Sequence, residues 1–99
     1  SAKRVGALPE VPTMEESGVA DFVVVSMFGL IAPTATPAAV VKLLNAEIRA
    51  ILQTDDVKTK FAAQGLEVAG STPDEFRAMT EAEMTRWTRV IKDARITIN

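Results

Sequence analysis

Two pairs of adjacent acids, Glu15–Glu16 and Asp55–Asp56, come nearest to a chemical constellation in this 99-residue chain. Neighbouring carboxylates can divide acid and base roles or hold a cation. Both pairs, however, fall where helical segments begin. There a carboxylate stabilises the helix dipole by about 0.3–1 kcal/mol, and capping is the simpler reading. Ser26 stands in an apolar run, yet the chain has no histidine to take its proton. A Ser–Lys pair is the nucleophilic arrangement that this composition leaves open. With cysteine also absent, disulfides, thiolate chemistry and the usual zinc ligands are excluded. Gly29, Gly65 and Gly70 do not make a phosphate-binding pattern. The residues predict a protein that is not an enzyme, with no cofactor and no metal centre.

The charge pattern narrows the partners. Eleven basic and 13 acidic residues give a net charge of −2, and no basic block is present, which argues against nucleic acid. The densest basic set, Arg86, Arg89, Lys92 and Arg95, lies where it complements the negative end of a helix dipole. The longest apolar run is shorter than the roughly 20 residues of a bilayer-spanning helix, and Asp21 and Pro33 bracket it. The opening SAKRVGALPEVPT lacks the apolar core of a signal peptide, so an export signal, if the protein has one, lies outside this chain. Trp87 is the only tryptophan. It falls on the apolar side of its helix and reads as a core anchor, whose replacement by alanine would cost about 3–5 kcal/mol.

These residues are positioned by an alternation of strand and helix signals. Residues 22–32, FVVVSMFGLIA, are apolar almost throughout, the pattern of a strand buried on both faces. At about 3.3 Å per residue they would span roughly 36 Å, longer than most strands. Before them, Pro9 and Pro12 favour an extended connection over residues 1–21. Thr13 and Glu16 there have the spacing of a capping box, and Gly18 ends the short helical turn. After the run, Thr36-Pro37 starts a helix over 37–53 with one wide apolar stripe. A shorter helix follows over 56–64, with Val57 and Phe61 inward and Gly65 as its stop. Residues 66–70 alternate as a short strand. Thr72-Pro73-Asp74-Glu75 then opens a long helix over 73–94. Strands separated by helices predict an α/β fold.

Several of these stretches also occur together, in order, in one protein family. LPEVPTMEESG, SMFGLIAP with TP three residues on, AVVKLLNAEI, AAQGLEVAGSTPDEF and EMTRWTRVIKDARI resemble the C-terminal part of the substrate-binding receptors of tripartite tricarboxylate transporters, the Bug family of periplasmic solute-binding proteins. The resemblance covers essentially the whole chain. Many members have tryptophan where Met27 stands. It implies a fragment of a two-lobed, periplasmic-binding-protein-like α/β fold that closes by a hinge on a small organic carboxylate or amino acid and works with membrane transporter subunits. On that implication residues 22–32 form the hinge strand between lobes. Ser26, Met27, Phe28 and Gly29 then border the ligand cleft, while most carboxylate-gripping loops lie in earlier parts of such receptors. A piece of this kind leaves the run's faces and edges uncovered, so self-association of the fragment is expected. The alternative is a small self-associating interaction module without ligand-binding activity.

Overall fold

In the computed structural model, which describes residues 1–97, three helices follow one another: α1 (Ala38–Leu52), α2 (Asp55–Ala62) and α3 (Pro73–Asp93). Among the described residues there is no strand. This corrects the expectation of an α/β fold with a long hinge strand over 22–32 and a second strand over 66–70. The physical reason lies in where each element finds its hydrogen bonds. A helix closes its own, from each N–H to the carbonyl four residues earlier. A strand becomes one only when a neighbour supplies the other half of the ladder. Residues 22–33 run on without helix, turn or bend and pair with nothing, so they have no ladder to join.

The chain divides into two units, each assembled from separated stretches. One joins Ser1–Thr36 to Gln53–Val68 and contains α2. The other joins Pro37–Leu52 to the stretch from Ala69 onward and contains α1 and α3.

In the first unit, the Thr13 amide donates to the Glu16 carboxylate at 2.8 Å and the Glu16 amide donates to the Thr13 hydroxyl at 3.1 Å. The turn they start is closed at Gly18, with φ of 94°. Val19 N–H reaches the Met14 carbonyl and Gly18 N–H the Glu15 carbonyl, at 2.9 and 3.0 Å. This double closure is a Schellman motif, which needs a left-handed residue at its centre. It recurs after α2, where Leu66 bonds Phe61 and Gly65 bonds Ala62, each at 3.0 Å, around Gly65 with φ of 72°. Asp21, at φ 56°, turns the chain just before the apolar run; aspartate is among the few residues with a side chain that adopt this conformation readily.

In the second unit α1 packs against α3, with Val41, Asn45 and Ile48 of α1 and Phe76 and Thr80 of α3 partly buried. The Asn45 side-chain amide donates to the Ser71 carbonyl at 2.9 Å, tying α1 to the residues that lead into α3. That helix starts with both halves of a capping box, between Thr72 and Glu75, and with proline in its first turn. Its far end closes as the third Schellman motif: Ile96 N–H to the Ile91 carbonyl at 3.0 Å, Arg95 N–H to the Lys92 carbonyl at 3.2 Å. Here the left-handed residue is Arg95, at φ 52°.

Among the described residues none is buried. The chain exposes 8600 Å², against about 5500 Å² for a folded monomer of its mass. Apolar faces that the sequence directs inward therefore lie open, and the residues that do not pack locally have nothing in this chain to pack on.

Candidate functional site

The four residues expected to border a cleft, Ser26, Met27, Phe28 and Gly29, lie consecutively in the unpaired run of the first unit, all exposed. The run gathers no titratable group along its length; Asp21 stands just outside it. Among the described residues no hydrogen bond involves residues 22–32. What the run offers is apolar surface, one hydroxyl and a row of free backbone donors and acceptors.

Polar organisation is found elsewhere. In the first unit, Arg4 Nε donates to Glu16 at 2.8 Å and Arg4 Nη1 donates to the Pro9 carbonyl at 3.0 Å, pinning the N-terminal connection to the capped turn. The Arg4 hydrogen bond, helped by the Thr13 amide, holds the Glu16 carboxyl below its ordinary range. In the second unit the Thr72 amide does the same for Glu75, donating to it at 2.7 Å. These carboxylates are thus engaged in capping. The Asp55–Asp56 pair opens α2, with Lys60 2.8 Å from Asp56, an exposed pair of the ordinary helical kind.

Trp87 departs from its expected burial. Its ring is 39% exposed, and the indole N–H donates to Glu83 at 2.8 Å. The Arg86 guanidinium lies 5.6 Å from the ring centroid and 3.6 Å from the other Glu83 oxygen. Glu83 occurs on the same side of α3 as the apolar residues, and sequence reasoning read it only as a partner for Arg86. The four-residue spacing from Glu83 to Trp87 was the available signal. On another side of α3, Ala78, Ala82, Thr85 and Arg89 line a shallow surface too open to enclose a small molecule. No group of histidine, cysteine, aspartate or glutamate among the described residues could hold a metal ion. No helix among them is long and apolar enough to cross a membrane.

The order of these capped helices around an apolar run matches a family model. The chain belongs to the tripartite tricarboxylate transporter family receptors, whose model matches residues 1–96. Among curated proteins it is similar to Protein BugT of Bordetella pertussis, 38% identical over 93 residues that make up 94% of this chain and 28% of that protein. It is also similar to the UPF0065 protein in the tcbD-tcbE intergenic region of Pseudomonas sp. strain P51, 36% identical over 100 residues covering all of this chain and 30% of the relative. A third, the UPF0065 protein in the clcB-clcD intergenic region of Pseudomonas knackmussii, is 29% identical across 94% of this chain and 56% of its own length. The chain thus spans less than a third of the first two relatives. No solved structure gives a significant match.

Proposed function

We propose that this chain is the C-terminal part of a periplasmic solute-binding receptor that captures a small organic carboxylate for a tripartite tricarboxylate-type transporter. The observation that carries the reading is the family match along residues 1–96; the lack of any assembled catalytic group agrees with a role in binding. In this reading residues 1–21 are a connection and 22–99 belong to the receptor body. The run at 22–32 crosses the hinge, and Ser26, Met27, Phe28 and Gly29 border the cleft. The ligand is held by main-chain amides and a few polar side chains, most of them from other parts of the receptor, and lobe closure follows binding. Membrane transporter subunits receive the loaded receptor.

Substitution in the receptor that contains these residues tests the placement. Phe28→Ala and Ser26→Ala should each weaken binding of a carboxylate such as citrate, succinate or glutamate by about tenfold, the effect of losing roughly 1.4 kcal/mol of contact. Lys60→Ala, in an exposed pair, should leave binding unchanged. Unaltered affinity in both cleft variants would remove these residues from the site.

The uncovered apolar side chains favour one further reading of the chain by itself: it associates with a second copy. In that setting it acts as a small interaction module, without ligand-binding activity.

A further inference from the structure

Resting on that self-association, we infer that the interface is an antiparallel pairing of residues 22–32 with the same residues of a second copy, about a two-fold axis through Met27. Apolar faces of α1 and α3 are also open, but their backbone groups are consumed within the helices. Only the run combines uncovered apolar side chains with unused backbone hydrogen-bonding groups, the combination from which an edge pairs with another chain.

The area is sufficient. Phe28, Leu30 and Ile31 are 81%, 75% and 91% exposed, and Phe22, Val24, Val25 and Met27 are open to a lesser degree. With aromatic side chains offering about 150–250 Å² each and aliphatic ones somewhat less, these seven residues leave on the order of 700 Å² of apolar surface. A stable interface takes about 800 Å² from each partner, and the paired backbones supply the remainder.

The order of side chains selects the register. A two-fold through Met27 sets each residue opposite the one equally far on the other side. Phe28 then faces Ser26 of the second copy, Val25 faces Gly29, and Phe22 faces Ala32. Each of the run's three small residues meets a larger one, while Val24 meets Leu30 and Val23 meets Ile31. Moving the axis half a residue towards the C-terminus instead sets Ser26 against Gly29 and leaves a gap, and brings Pro33, which has no N–H, opposite Phe22. The Met27 register fills the space without either fault.

This chain contains no cysteine, so one introduced thiol reports one position. On the axis, two Met27 residues face each other with Cα atoms about 4.5–5.5 Å apart, inside the range a disulfide spans. Two copies of Leu30 are displaced along the strands by six residues, about 20 Å, and cannot be bridged. Met27→Cys should therefore convert to covalent dimer under mild oxidation at least tenfold faster than Leu30→Cys, with sedimentation velocity of the unaltered chain showing a dimer. A dimer in which Leu30→Cys crosslinks as fast as Met27→Cys, or in which neither does, would overturn this interface while leaving self-association standing. A monomer at 100 μM would overturn both. Retained helical circular dichroism in each variant excludes unfolding as the cause.

Discussion

One substitution made at two places five residues apart gives an internally controlled test of the backbone geometry. Gly65 holds φ of 72° at the centre of the closure that ends α2, and a Cβ added there meets nothing within 4 Å. The cost of Gly65→Ala is then purely conformational. A side chain in the left-handed region costs about 1–2 kcal/mol, of which the stiffer unfolded chain returns about 0.4–1 kcal/mol. The net expectation is a loss near 1 kcal/mol, or about 4–8 °C in Tm for a chain of this size. Gly70 lies outside the left-handed region, and its added Cβ would meet Arg49 Cγ at 3.9 Å and Nε at 4.0 Å, an ordinary contact. Gly70→Ala should keep the unfolded-state gain and raise stability by about 0.4–1 kcal/mol. Thermal and urea unfolding followed by circular dichroism at 222 nm reads both. If the two variants move the same way, the assignment of left-handed geometry to Gly65 and not to Gly70 is wrong.

Other expectations follow from the same contacts. Arg95→Gly should relieve the left-handed arginine that ends α3, for a gain of up to about 1 kcal/mol visible as added helicity. Asn45→Ala removes the bond to Ser71 and should cost about 0.5–1.5 kcal/mol; Asn45→Asp, which cannot donate at neutral pH, should not restore it. Glu16 and Glu75 are lowered from an ordinary value of 4.5. The stability they add is complete above that value and is lost as pH falls through their lower folded values, a decline in α3 helicity that Glu75→Gln should flatten. Trp87→Phe removes one exposed hydrogen bond and should cost about 1 kcal/mol or less by urea unfolding, well short of the 3–5 kcal/mol of a buried tryptophan.

What the sequence made legible follows the range of each interaction. Helix starts at Thr72 and the capped turn at Thr13 depend on residues three positions apart, so side-chain type and spacing suffice to read them. The stops at Gly18 and Gly65 are legible because glycine is the residue that adopts their geometry freely. Arg95 performs the same closure without that signal, and nothing in its type announces it. The strands at 22–32 and 66–70 were misread for the complementary reason. Their composition describes the surroundings they suit, whereas a ladder needs a neighbour that these residues do not supply to one another. Trp87 fails in the same way: its place on an apolar stripe says which face it shares, and burial depends on what covers that face. The candidate site, Ser26 to Gly29, carries no charged or nucleophilic constellation, so only the ordered resemblance to a receptor family pointed to it.

The receptor reading separates two species that can be titrated side by side by calorimetry. A small carboxylate should give saturable heat with the complete receptor containing these residues, and none with the 99-residue chain up to millimolar concentration. Tight, saturable binding by the chain alone would contradict the claim that the gripping groups come from the rest of the receptor.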